Sequence, residues 1–262
     1  SIINTIVNVM DVNIIQNDTT ICFGDSITLS VGNANVSNAC ALPINLQSGL
    51  VAYYPFCGDA NDESGNGNNG TIYGATLTTD RFGNTNTAYD FNGGTDRINI
   101  NNPILNGISE VTISIWFNPS FSSSGSGHIS VFQQDAGDAV VYLTYYPFPS
   151  ELKFLYRNSA TNAVGFPTST PSQNNWHHAV LVYDGSFMKG YIDNVLIGSA
   201  ALTSAIYNSV APFCIGNLDG TPTYQGFIGK IDDVGIWSRA LSTTEIQQLY
   251  SDNYQWSTGD TT

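Results

Sequence analysis

The chain has 262 residues, 42% hydrophobic and only 11% charged, so its polar surface must come from Asn, Ser, Thr and Gly, the make-up of a β protein with many turns. Seven Lys and Arg against 21 Asp and Glu leave a formal net charge of −14, which repels phosphate backbones and argues against nucleic acid as a partner. No apolar run is long enough for a membrane-spanning helix, and the length suits one large β-sandwich plus a smaller unit.

Residues 1–10, SIINTIVNVM, carry the β-branched enrichment of a strand and show no signal peptide. Two further strand-like runs, VNII and SITLSV, lie within 12–31, separated by the turn cluster Asn17-Asp18-Thr19-Thr20. Residues 32–48 have no usable periodicity and read as a connector, which puts a domain boundary near residue 41.

From 49 to 250 the chain is a succession of short runs of period two, separated by Gly, Asn and Asp. In 111–117 the odd positions are all apolar, so one face of that strand belongs in a core and Trp116 points the other way. Similar runs occur at 139–146, 151–156, 177–183 and 227–237. Asp193-Asn194, between two apolar stretches, predicts a two-residue hairpin turn with positive φ. Ser242 and Glu245 have the spacing of a capping box, with Leu241 placed to staple against Ile246. The expected helix covers 243–250 and docks through Ile246, Leu249 and Tyr250. At 254–262 the strand signal resumes, as when one domain interrupts another.

Four cysteines, Cys22, Cys40, Cys57 and Cys214, are too widely spaced for a CxxC motif and suit two disulfides in an oxidising compartment. Three pairings are possible; Cys22 with Cys40 and Cys57 with Cys214 is the favoured set, the first closing a short loop and the second tying an early strand to a late one.

Several tracts now combine in order: Gly49 to Phe56, Asn61 to Gly70, Ala88-Tyr89-Asp90-Phe91-Asn92-Gly93, Trp176-His177-His178, Tyr191-Ile192-Asp193 and Gly229 to Ser242. Together they resemble the laminin-G-like, concanavalin A-like jelly-roll family over roughly residues 48–250. The flanks, around Thr20 to Leu29 and 254–262, resemble immunoglobulin-like repeats of large Bacteroidetes-type surface proteins. The resemblance implies an all-β fold: an antiparallel two-sheet jelly-roll sandwich with partial immunoglobulin-like flanks and one short helix. The expected domains are 1–10, the last strand of a preceding repeat or a flank; 11–40, the first part of an interrupted immunoglobulin-like domain; 41–250, the jelly roll; and 251–262, the resumption of the interrupted domain. It also implies a secreted, cell-surface-associated protein, with neighbouring immunoglobulin-like domains or chains among its partners.

Asp62 and the Ser-Gly-Asn-Gly-Asn that follows it supply carboxylate, amide and carbonyl oxygens in one loop, the hard donors that Ca²⁺ takes. Asp232-Asp233 form a second group; strand alternation should turn one of them inward, where a cation would relieve the buried charge. The family resemblance joins an early loop to the last strand through a structural Ca²⁺, so Asp62, Asn66, Asn68 and Asp233 are the expected metal residues.

Catalysis is not expected. The chain has four Glu (Glu63, Glu110, Glu151, Glu245) in no glycosidase-like arrangement, and His177 and His178 face opposite ways on a strand. Glycan binding needs aromatic platforms with polar rims, for which Trp116, Trp176, Tyr142, Tyr145 and Tyr146 are candidates. Of these, Tyr145-Tyr146-Pro147-Phe148 reads as an exposed loop. The expected function is a non-catalytic adhesion or carbohydrate-binding module. The alternatives are an architectural subunit of a stalk or filament and an accessory module of a glycan-degrading enzyme.

Overall fold

A computed structural model describes residues 40, 42–120, 129–134, 141–147, 150–159, 162–169, 171–202, 208, 210–217 and 226–251. Apart from Cys40 and Ser251, the expected segments 1–10, 11–40 and 251–262 lie outside the described residues.

A 3₁₀ turn, Ile44–Leu46, leads into β1 (Leu50–Tyr54), β2 (Gly70–Tyr73), β3 (Thr76–Thr78), β4 (Ala88–Asn92), β5 (Arg97–Ile100) and β6 (Val111–Pro119). Next come β7 (Ile129–Gln134), β8 (Val141–Pro147), β9 (Ser150–Ser159), β10 (Asn162–Ser169) and β11 (His177–Tyr183). The series ends with β12 (Phe187–Ile192), β13 (Val195–Ala201), β14 (Phe213–Ile215), β15 (Ile228–Trp237) and the helix α1 (Thr243–Ser251). Every strand pairing is antiparallel. One sheet runs β13-β12-β11-β6-β15-β4-β3, with β1 also on β15; the other runs β10-β9-β8-β7-β14-β5-β2.

The expected alternation in β6 holds. Val111, Ile113, Ile115 and Phe117 enter the core between the sheets, with Leu181 of β11, Ile231 and Ile236 of β15, and Val131, Leu143, Phe154 and Phe213 from the opposite sheet. The turn between β12 and β13 has φ of 49° at Asp193 and 63° at Asn194, as its two-residue length demands.

A second apolar layer lies on the outer face of the eight-stranded sheet, where Tyr53, Val180, Val182, Tyr191 and Trp237 meet Leu42, Leu46, Leu241, Ile246 and Leu249. Here α1 docks as its sequence predicts. The Ser242 N–H donates to Glu245 Oε2 at 2.8 Å and the Glu245 N–H to Ser242 Oγ at 3.3 Å, while Leu241 and Ile246 are buried together. The incoming and outgoing ends of the sandwich are therefore neighbours: Trp237 Nε1 donates to Leu46 O at 2.7 Å and Asn45 Nδ2 to Gln248 Oε1 at 2.8 Å.

The disulfide pairing differs from the favoured one. Cys40 is bonded to Cys57, 17 residues on, which pins the incoming segment beside the end of β1. Cys214 is not in a disulfide: it lies on β14 and faces Asn99 of the neighbouring β5, with Sγ 3.1 Å from Oδ1. Cys22 lies outside the described residues.

Candidate functional site on the outer face

Asp232 of β15, Trp116 of β6 and His178 of β11 stand directly opposite one another in register, a row across three strands on the outer face. The Trp116 ring stacks on His178 at 4.9 Å and on Tyr250 of α1 at 5.8 Å, and the Arg81 guanidinium lies 4.6 Å from its centroid. Trp116 does point away from the core, as expected, and it is buried under α1 and the 79–87 loop.

His178 is fully enclosed. Its Nε2 lies 2.7 Å from Ser114 Oγ, its Nδ1 has no partner, and burial, with the Arg81 charge adding, lowers its pKa from 6.5 to about 3. The ring is neutral at physiological pH.

Asp232 and Asp233 do not split between the two faces. The strand carries a bulge between Asp232 and Gly235, and Asp233 has φ of 42°, so both carboxylates emerge on the outer side. Arg81, from the loop between β3 and β4, spans them, with Nη1 2.6 Å from Asp232 Oδ2 and Nη2 2.7 Å from Asp233 Oδ2. Tyr53 OH donates to Asp233 Oδ1 at 2.8 Å, and the Asp233 N–H to Asp232 Oδ1 at 2.8 Å. Burial, then the Asp233 charge, push the Asp232 carboxyl above the usual carboxylate range, against the pull of Arg81.

Asp62 organises its loop without help. Oδ1 accepts the N–H of Tyr53 at 3.0 Å and of Ser64 at 2.9 Å, and Oδ2 accepts the N–H of Asn68 at 2.9 Å. Asn66 Nδ2 donates to Leu50 O at 2.9 Å and Asn68 Nδ2 to Val51 O at 2.9 Å. Asp62 and Asp233 thus both bond Tyr53, Asn66 and Asn68 turn their Nδ2 groups to carbonyls of β1, and Asp233 already has Arg81 as its counter-charge. Among the described residues no group of three or more His, Cys, Asp or Glu is assembled to hold a metal. The donor set as it stands does not fit a Ca²⁺ shared between the loop and β15.

Between α1 and the sheet lies a narrow crevice walled by Leu42, Tyr53, Trp116, Trp237 and Leu249, with Ser114 and Asp233 as polar members. Phe82, next to Arg81, is 49% exposed, and the Arg81 guanidinium covers one side of its ring at 4.4 Å.

The remaining candidates lie elsewhere. Trp176 is half-buried in the exposed loop leading into β11. His177 faces away from His178: Nδ1 is 2.8 Å from Asp193 Oδ2 and Nε2 is 3.0 Å from Ser172 Oγ. Tyr142, Tyr145 and Tyr146 belong to β8, paired on both sides, so the expected loop at Tyr145 and Tyr146 is a strand; their side chains lie outside the described ones. Arg81 and Tyr53 went unnoticed as site residues. The available signal was arithmetic: in a chain with only seven Lys and Arg, an arginine ahead of a Gly- and Asn-rich loop merits a search for its acidic partner.

Two antiparallel sheets joined as a jelly roll place the chain in the concanavalin A-like class of sandwich. Residues 92–247 match the concanavalin A-like lectin/glucanases superfamily, and the chain belongs to it. Domain 4 of AbnA, an extracellular GH43 arabinanase of Geobacillus stearothermophilus solved with arabinotriose, is similar with a TM-score of 0.62 and 21% identity, over 77% of this chain and 98% of that domain. The binding domain of Paraclostridial Mosquitocidal Protein 1 is similar with a TM-score of 0.63 and 18% identity, over 80% of this chain and 53% of that one. A chain of botulinum neurotoxin type C, whose cell entry depends on two ganglioside molecules, gives 0.62 and 15%, over 81% and 53%. The chain spans about half the length of the toxin structures, and at these identities the likeness is one of fold. No curated protein matches it in sequence. Among the described residues no helix is long and apolar enough to cross a membrane.

Proposed function

We propose that the jelly roll is a non-catalytic carbohydrate-binding domain of a secreted protein. The observation that carries this reading is the correspondence over 98% of the length of an arabinanase domain solved with arabinotriose, a complete sandwich serving as a separate module. The outer-face chemistry agrees with it: Asp232 and Asp233, an adjacent carboxylate pair, are locked by Arg81 and Tyr53, and His178 is sealed behind Trp116. The Cys40–Cys57 disulfide favours an oxidising compartment. Trp176, with its polar loop, supplies the aromatic contact surface in this reading. A glycan array extended with arabino-oligosaccharides and gangliosides tests it. Weak, saturable binding that Trp176→Ala reduces is expected, and an array blank for the intact chain overturns it.

A second reading is architectural, and the closeness of the two ends of the sandwich favours it. With Asn45 bonded to Gln248, the two ends of the described sandwich lie side by side, as its insertion between segments 1–40 and 251–262 of another domain requires. In this reading those segments belong to one interrupted immunoglobulin-like domain of a cell-surface adhesin or filament, completed by downstream sequence or a neighbouring chain through strand addition. Light scattering of the isolated chain tests the assembly: a strict monomer at high concentration counts against it.

A further inference from the structure

The four oxygens of Asp232 and Asp233 each receive one donor. Arg81 Nη1 serves Asp232 Oδ2, Arg81 Nη2 serves Asp233 Oδ2, Tyr53 OH serves Asp233 Oδ1, and the Asp233 N–H serves Asp232 Oδ1. The Arg81 side chain is 7% exposed although its neighbour Phe82 is 49% exposed, so the loop at 79–87 lies on the surface and sends one residue inward. That loop is shaped to do so. Asp80 Oδ1 accepts the N–H of Phe82 and of Asn84, both at 2.8 Å, and the Asp80 N–H donates to Asn84 O at 3.1 Å. The guanidinium is sandwiched between Phe82, at 4.4 Å, and Trp116, at 4.6 Å, which suits a planar cation.

We infer that Arg81 is the resident cation of this sandwich, occupying with its guanidinium the place beside Asp232 and Asp233 where a divalent ion was expected, and so making the joint between the 79–87 loop and the last strand independent of metal. Two adjacent carboxylates under a helix are tolerable only with a counter-charge and full hydrogen bonding. A planar fork supplies one N–H to each acid, and the bulge at Asp233 brings the second acid within its reach. The Asp62 loop is held by three backbone N–H groups on its own carboxylate. The inference concerns the frame of the domain and stands whether or not it binds sugar.

Thermal melting of the full chain tests it. The wild-type Tm is expected to be the same in EDTA and in millimolar CaCl₂. Arg81→Gln is expected to lower Tm by about 10 °C, since it leaves two acids facing one another. Asp233→Asn is expected to lower Tm in the wild type and to raise it in the Arg81→Gln background, a change of sign that lost packing of the arginine stem does not produce. Should Arg81→Gln fail to fold, Arg81→Lys keeps the positive charge without the fork; it is expected to melt between wild type and unfolded, and Asp233→Asn is expected to cost it less than it costs the wild type. A wild-type Tm that moves with Ca²⁺ or EDTA, or an Asp233→Asn effect that is the same with and without Arg81, overturns the inference.

Discussion

His177 and His178 are neighbours on β11, yet the pleat sends their rings to opposite faces and their pKa values move in opposite directions. For His178, burial dominates and brings the folded value from 6.5 to about 3. The unfolded chain therefore takes up a proton as pH falls below 6.5, while the folded chain refuses it down to about 3. This contribution to stability is complete above 6.5 and is lost progressively across that window, about 2 kcal/mol of it by pH 5. Urea unfolding of wild type and His178→Gln at pH 7.5 and pH 5 checks this. The variant is expected to be less stable at both values but to lose less on acidification; equal acid losses would refute it.

His177 carries the opposite sign. Its hydrogen bond to Asp193 raises its pKa above 6.5, against the effect of burial. Asp193 itself is held low: burial would raise it, but the bonds from His177 and the His178 N–H outweigh that. The His177 contribution is fully present below the unfolded value near 6.5 and fades as pH rises through the folded one. His177→Gln is expected to cost more stability at pH 6 than at pH 8.5. A cost that grows with pH contradicts the assignment.

Tyr250 lies parallel to Trp116, with planes 7° apart, and with Ile246 and Leu249 it fastens α1 to the sheet. The contact is made by the ring. Tyr250→Phe is expected to be nearly neutral, whereas Tyr250→Ala is expected to cost about 1–3 kcal/mol and to alter the near-ultraviolet circular dichroism of the indole beneath. Equal effects of the two substitutions would place the interaction in the hydroxyl instead.

The Cys40–Cys57 bond closes a loop of 17 residues, for which chain entropy predicts about 3 kcal/mol of stabilisation. Peptide mapping without reduction is expected to recover a fragment linking Cys40 to Cys57, and Cys57→Ala is expected to melt below wild type by several degrees. Recovery of Cys57 bonded to Cys214 would contradict the pairing with Cys40.

What the sequence made legible follows from local rules. The alternation of Val111, Ile113, Ile115 and Phe117 marks a strand because side chains on a strand alternate faces, and it also exposed Trp116 as an outward residue. Asp193-Asn194 marks a hairpin because few residue pairs tolerate positive φ at both positions, and Ser242 with Glu245 marks a helix start because each satisfies a backbone N–H of that turn. Where the reading failed, a rule of regular structure met an irregularity. Strand alternation was applied to Asp232 and Asp233, and a bulge cancelled it. The Tyr145-Tyr146-Pro147-Phe148 tract read as an exposed loop, yet its first three residues end a strand whose pairing is supplied by β7 and β9.

The sequence by itself determined the period-two strands, the helix that closes the sandwich and the direction of Trp116, all of which depend on residues within a few positions of one another, while the class of fold came from the resemblance of tracts in order along residues 48–250. Only the tertiary structure decided what covers Trp116, which cysteine meets Cys57, and that Arg81 meets Asp232 across 151 positions of chain. Such pairings depend on strand order and loop path. In a sandwich where β4, β6 and β1 all adjoin β15, the neighbours of an acidic pair come from parts of the chain that no local pattern connects.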